Sequence, residues 1–249
     1  MCQTRDSMVS GKMFERRRLF THAADPDDRF FVFDMFGTLV YNRFGNLDAV
    51  HDAFHSLYPG SDEDALLFEY GRFDREFRDA HRNHEECSID MIIRHMDGIY
   101  GTETDIPKAE EHILVDTGTF VPVNGAERLL CYLKSHGYRI GVLSNTRYHG
   151  PAVRRILDDG GLGRYVDAVV TSADIGLKKP RPESYAAVAD RLGAPMGRCF
   201  FAGDSVGNDY HGPMAAGMGS AVLVGDPKSA GILWVPGIGD IEDLFENGQ

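Results

Sequence analysis

The chain has 249 residues, 43% hydrophobic and 26% charged, with 26 Lys plus Arg against 38 Asp plus Glu and a formal net charge of −12. That length holds one or two domains and a full hydrophobic core, so folding needs neither a disulfide framework nor a structural metal. The acidic balance excludes a general nucleic-acid binder and a protein held by charge on an anionic membrane. No apolar run approaches the roughly 20 residues that span a bilayer.

At the N-terminus Arg16-Arg17-Arg18 is followed by only Leu19-Phe20 before polar residues resume. Without an apolar stretch this is no export signal, and residues 1–28 read as an N-terminal extension. The four cysteines, Cys2, Cys87, Cys131 and Cys199, contain no C-x-x-C pair. They read as reduced thiols of a cytoplasmic protein.

The first strand is Phe30-Phe31-Val32-Phe33, a continuous apolar run that stops at Asp34. From 46 to 120 the pattern is helical, with no convincing strand. Asp62–Arg82 places Leu66, Leu67, Tyr70, Phe73 and Phe77 at roughly helical spacing, and Ile89–Tyr100 and Lys108–Leu114 are similar. After 121, helical patterns over Gly125–Ser135, Pro151–Asp158, Pro182–Leu192 and Asn208–Ala216 alternate with strand candidates. Those strands are Arg139–Leu143, Ala168–Val170, Cys199–Ala202 and Ser220–Val224. Continuous apolar strands alternating with amphipathic helices predict an α/β fold with a doubly wound, Rossmann-like parallel sheet. Residues 29–45 and 121–249 would form that core, and 46–120 a small helical domain inserted into it.

Ligands of such sheets bind beyond the carboxyl ends of the strands, near the topological switch point. Four polar clusters fall there. Asp34-Met35-Phe36-Gly37-Thr38-Leu39 offers a carboxylate that can attack an electrophile or ligate a cation. Ser144-Asn145-Thr146 offers hydroxyls and N–H groups near a helix start, an anion cradle. Lys179-Pro180-Arg181-Pro182 offers a fixed positive charge ahead of a helix opened by proline. Gly203-Asp204-Ser205-Val206-Gly207-Asn208-Asp209 places two carboxylates five residues apart around a turn, suited to a hard cation such as Mg²⁺. Each cluster alone is explained by capping or turn chemistry. Together they supply nucleophile, anion cradle, cation and metal ligands at one sheet edge.

In this order and spacing the four clusters resemble the haloacid dehalogenase superfamily of hydrolases, over most of residues 30–225. The resemblance implies that Asp34 is the nucleophile, that Lys179 and the Ser144 hydroxyl hold phosphate, and that 46–120 is a cap placed between the first and second motifs. It further implies a Mg²⁺ site of Asp34, Asp204, Asp209 and the Phe36 carbonyl, with Asn145 beside Ser144 on the phosphoryl oxygens. The implied activity is phosphatase action on a small phosphorylated metabolite through an aspartyl-phosphate.

One residue departs from the pattern. Most phosphatases of the superfamily carry a second Asp two residues after the nucleophile, to protonate the leaving group; here it is Phe36. Such general acid–base help is worth about 10²–10⁴ in rate, so its loss favours substrates whose leaving group needs no proton, such as acyl phosphates. An aromatic residue there also resembles the metal-free dehalogenase branch, which lacks the Asp that Asp204 supplies. The phosphonatase branch uses a cap lysine, and the insert has only Lys108, near its end. A catalytically weak scaffold that binds a phosphometabolite or a partner is the third reading. Substrate choice is expected from the insert: its Arg72, Arg75, Arg78, His81 and Arg82 read mainly as a solvated face. Tyr41, Asn42, Arg43, Tyr148 and His149 are expected near the entrance, His211 on the helix after the fourth motif, and Trp234 near the C-terminal strand. No nucleic-acid or membrane partner is expected; the chain should act as a monomer or homodimer.

Overall fold

The computed structural model describes residues 30–44, 47–81, 84–226 and 231–246. The expected extension over 1–28, Cys2, Asn46 and Arg82 lie outside these residues. So does the side chain of Arg43.

Strand β1 (Phe30–Phe33) is buried along its whole length. Its side chains alternate between the two faces of the sheet: Phe31 and Phe33 join one apolar cluster, Phe30 and Val32 another. The chain then leaves through β2 (Val40–Phe44), and four helical segments follow. They are α1 (Leu47–Ser56), α2 (Glu63–Ala80), α3 (Ile89–Tyr100) and α4 (Ile106–Glu110), the last running on into a π-helical turn over Glu111–Asp116. Asp62 caps α2 by accepting from Ala65 N at 2.9 Å. Gly101, at φ 67°, ends α3 in the left-handed conformation that glycine adopts without strain.

The chain returns through β3 (Gly118–Pro122), antiparallel to β2. This strand begins in the last three residues of 46–120, a segment read as mainly helical with no convincing strand. It is five residues long, opens on Gly, closes on Pro, and alternates half-buried with exposed positions, so it has no apolar run to announce it.

The rest of the chain alternates helix and strand: α5 (Ala126–Ser135), β4 (Arg139–Ser144), α6 (Gly150–Asp159), β5 (Ala168–Thr171), the short α7 (Ser172–Ile175), α8 (Pro182–Leu192), β6 (Cys199–Gly203), α9 (Gly212–Ala216), β7 (Ser220–Val224), β8 (Trp234–Val235) and α10 (Glu242–Glu246). The sheet order is β5-β4-β1-β6-β7-β8, all parallel. Trp234 therefore lies in the edge strand. From β1 the chain builds outward in one direction through β4 and β5, then in the other through β6, β7 and β8. The switch point is thus at β1, and the crevice there opens at the ends of β1, β4 and β6.

Helices α5 and α6 cover one face, with Leu129, Leu130, Leu133, Val153 and Ile156 fully or nearly fully buried against Phe31 and Phe33. Helix α8 covers the other with Tyr185, Val188 and Leu192. Gly141 in β4 lets α8 close in, because a Cβ there would come within 2.9 Å of Val188 and Leu192. The inserted helices hold a third apolar cluster of their own, centred on Phe54, Tyr58, Leu66, Ile92, Ile93 and Met96. No helix among the described residues is long and apolar enough to cross a membrane.

Candidate active site

Asp34 follows β1 directly, with its main-chain N–H donating to the Ala202 carbonyl of β6 at 2.9 Å. Beyond it the chain doubles back: the Met35 carbonyl accepts from the N–H groups of Thr38, Leu39 and Val40. Gly37 makes that reversal at φ 89°, and a Cβ on it would lie 2.3 Å from Asp204 Oδ2. Glycine is required there twice, for its backbone angle and for the carboxylate seated against it. The Phe36 carbonyl accepts none of the turn's main-chain bonds, and its ring lies 6.1 Å from Phe120.

Asp209 is carried by a π-helical turn, Val206–His211, after β6. The turn is fixed at both ends: Ser205 N–H donates to Asp209 Oδ2 at 2.9 Å, and Tyr185 OH donates to the Asn208 carbonyl. A Cβ on Gly203 would meet Asp209 Cγ at 2.4 Å, so only glycine at the end of β6 admits this carboxylate. π-turns inside helices concentrate at functional sites. His211 closes the turn and is exposed.

Lys179 joins these groups. Its ammonium donates to Asp34 Oδ1 at 2.6 Å and to Asp209 Oδ1 at 2.7 Å. Lys179 is 3% exposed, Asp34 8% and Asp209 1%, so these charges are stabilised by each other rather than by water. Asp204 is more open. Carboxylate oxygens of Asp34, Asp204 and Asp209 all lie within 4.8 Å of one another.

Three carboxylates face one ammonium. The Asp34 carboxyl is pushed up to about 6: burial raises it most, Lys179 pulls it down, and Asp209 and Asp204 add to the rise. Burial and Asp209 also raise Asp204. Burial pushes Lys179 down, but Asp34 and Asp209 outweigh it and hold the ammonium charged. The cluster carries more negative charge than Lys179 offsets. An all-oxygen donor set with that excess fits a hard divalent cation such as Mg²⁺.

Ser144 is buried at the end of β4, paired in register with Thr171. Asn145 follows Ser144, and its side-chain amide is turned to the lysine loop. Its Nδ2 donates to the Lys179 carbonyl at 3.0 Å and its Oδ1 accepts from Lys179 N–H at 2.8 Å. The amide is engaged with the lysine's own backbone, so it fixes where Lys179 stands.

A cavity of about 520 Å³ begins beside Phe36 and Asn145 and runs between the sheet edge and the inserted helices. Asn42, Val50, Tyr70, Ile113, Phe120, Arg147 and Tyr148 are among the residues lining it. Of the residues expected at the entrance, Asn42 and Tyr148 line the cavity, whereas Tyr41 is 52% exposed on β2. His149 does not line it; its Nδ1 lies 2.6 Å from Glu110 Oε1. The basic cluster of α2 points elsewhere: Arg72 pairs with Glu69 and Glu76, and Arg78 with Asp74. Arg75 and His81 are exposed.

Sequence reasoning missed the contacts that seat the helices on the sheet. Arg147 donates to Tyr70 OH and to Asp74 Oδ1, the latter 73 positions away. Ser172 Oγ donates to Glu86 Oε2 at 2.7 Å, and Glu86 N–H to the Gly176 carbonyl at 2.9 Å. Arg147 stands three residues after Ser144, which was the available signal. Nothing in the charge pattern of α2 marks Asp74 as its partner.

Residues 29–217 match the family described as haloacid dehalogenase-like hydrolase. The chain is similar to a phosphoglycolate phosphatase of Shigella dysenteriae serotype 1, 28% identical over 216 residues that cover 79% of this chain and 81% of the relative. A solved HAD phosphatase from Thermococcus onnurineus superposes with a TM-score of 0.60 at 19% identity, over 88% of this chain and 98% of its own. A 2-haloacid dehalogenase from Pseudomonas syringae pv. Tomato superposes at 0.62 with 16% identity, over 89% and 99%. Phosphatase and dehalogenase share this fold.

Proposed function

From the premise that this chain belongs to the haloacid dehalogenase-like hydrolases, we propose that it is a Mg²⁺-dependent phosphatase of a small phosphorylated metabolite, with Asp34 as its nucleophile. The observation that carries the reading is the cluster at the end of β1: one buried ammonium bridging Asp34 and Asp209, with Asp204 beside them.

With Oδ1 held by Lys179, Asp34 presents Oδ2 to phosphorus. The attack forms an O–P bond as the bond to the leaving group breaks, and the leaving group departs with the electron pair. Water then cleaves the aspartyl-phosphate, releasing inorganic phosphate and restoring Asp34. Lys179 offsets charge on the phosphoryl oxygens, the Ser144 hydroxyl donates a hydrogen bond to them, and Asn145 keeps Lys179 in place. Asp34, Asp204, Asp209 and the Phe36 carbonyl would hold Mg²⁺, which when bound offsets the repulsion between the carboxylates and an anionic substrate.

A dehalogenase reading draws on Phe36 and on the fold, but the unbalanced carboxylates disfavour a haloacid's own carboxylate. A non-catalytic binding protein needs only the same pocket. One assay separates the three. With Mg²⁺ present, the purified chain should release phosphate from acetyl phosphate, and chelation should abolish it. Halide release from a 2-haloacid without metal would replace the phosphatase reading, and binding without turnover would leave only the scaffold.

A further inference from the structure

The cavity beside the carboxylate cluster has a composition that constrains what leaves from phosphorus. Phe36, Val50, Ile113 and Phe120 make its walls largely apolar, and Val50, Tyr70, Ile113 and Tyr148 continue into an adjoining cavity of about 180 Å³. Together these volumes are of the size that encloses a small organic ligand. Arg147 is the single cationic lining residue among those described. Its guanidinium is already engaged by Asp74, at 3.1 Å, a carboxylate it shares with the exposed Arg78, and by Tyr70 OH. A carboxylate tail on the substrate would therefore lose its hydration without gaining a cation free of other partners, which is unfavourable for a buried charge. Among the described residues no carboxyl or imidazole lines the larger cavity, and the imidazole of the adjoining one, His51, stands in a part that neither Phe36 nor Asn145 lines. Burial pushes the Tyr148 phenol further up, making it a poorer acid. A leaving group held beside Phe36 that needs a proton finds no carboxyl or imidazole donor in that cavity.

Resting on the phosphatase reading above, we propose that this cavity selects phosphates whose leaving group is uncharged, largely apolar and able to depart as a stabilised anion, with an aryl phosphate as the simplest case. Such a group fills the apolar space that a small acidic or polyhydroxylated metabolite would leave wet. It also departs without the proton that Phe36 does not provide. The class differs from phosphoglycolate, the compound in the name of the Shigella relative, which has an acidic tail and an alkoxide leaving group.

The test uses the full chain in Mg²⁺ buffer, in two arms. In the first, calorimetry on the Asp34→Asn chain measures binding of phenyl phosphate and 2-phosphoglycolate. Phenyl phosphate should bind at least ~10-fold more tightly. Val50→Lys, added to place an ammonium in the cavity, should reduce that ratio by ~10-fold or more, and Thr117→Lys is the second site should the first variant fail to fold. In the second arm, the native chain should turn over phenyl phosphate at least ~10-fold faster in kcat than benzyl phosphate, which is equally apolar but leaves as an alkoxide. Equal or tighter binding of phosphoglycolate, no binding of either compound, or equal kcat on the two esters would overturn the proposal. Preferential phenyl phosphate binding without turnover of any substrate, acetyl phosphate included, would support the ligand class while removing the phosphatase reading.

Discussion

At the sheet edge, Asp34, Lys179, Asp204 and Asp209 are charged side chains set by the ends of strands and held by one another. Across the cavity, the inserted helices present Val50, Tyr70 and Ile113, apolar or aromatic groups from three separate segments. The first region has a fixed backbone frame, with glycines at 37 and 203 where any other residue would strike Asp204 or Asp209. The second depends on its own apolar cluster and on a few polar contacts to the core. The proposed chemistry would therefore tolerate little change in the first region, whereas the proposed selectivity could change in the second without disturbing the first.

That contrast is broken most directly at Asp34. Asp34→Asn keeps the shape of the side chain and removes the proposed nucleophile, so phosphate release should fall at least ~10³-fold. Thermal unfolding should still show a folded chain, because removing one of three crowded carboxylates relieves repulsion. Retention of more than a tenth of the activity would place the chemistry elsewhere.

The second region is probed at its apolar centre. Ile93 is completely buried in α3, and Ile93→Ala should cost about 2–5 kcal/mol from lost transfer energy and the cavity left behind. Leu130→Ala, equally buried under the sheet, should cost a similar amount. If the inserted helices open separately, the Ile93 variant will show an early partial transition and the Leu130 variant will not. Coincident loss of all structure in both would mean that the two regions unfold as one unit.

How legible each region was follows from the same contrast. The sheet edge could be read because β1 ends abruptly at Asp34 and because motif residues lie within a few positions of one another. Continuous apolar runs and turn glycines are local signals. The ribbon of β2 and β3 gave none, since its strands are short, partly exposed and paired only with each other. Asn145 was placed beside Ser144, but its engagement with the Lys179 backbone depends on two loops 34 positions apart. The solvated face of α2 was apparent in its charges and Tyr70 falls on its apolar spacing, whereas the inward Asp74 is specified only by what Arg147 needs on the other side.

The seating contacts are a smaller lever on the comparison. Arg147→Met removes a charged partner from Asp74, whose side chain is 10% exposed. Arg78 still reaches Asp74 Oδ2 at 2.7 Å, so the loss should be limited to about 1–2 kcal/mol. In a double-mutant cycle with Asp74→Asn, the coupling should be of that size, with KM affected more than kcat because the helices form the substrate side of the cavity. Zero coupling would make the pair incidental to seating.

The smallest effect expected is one of pH, at His149. Its ring contacts Glu110 at 2.6 Å and lies 3.8 Å from Asp90, both on the inserted helices, while Asp174 of the core adds negative charge nearby. Burial pushes the imidazolium down, but the hydrogen bond and charge of Glu110, then Asp90 and Asp174, outweigh it, so the folded-state value lies above the ordinary 6.5. The folded chain therefore holds this proton more tightly than the unfolded chain does. The resulting stabilisation is fully present below about pH 6.5, where both states are protonated, and is lost as pH rises through the higher folded value. His149→Gln removes that dependence. The difference in Tm between native and variant chains should be greatest near pH 6 and shrink steadily above pH 7. A difference that grows with pH would mean that burial outweighs these carboxylates and the folded chain holds the imidazole neutral. The link between helices and core would then be an ordinary hydrogen bond rather than an ion pair.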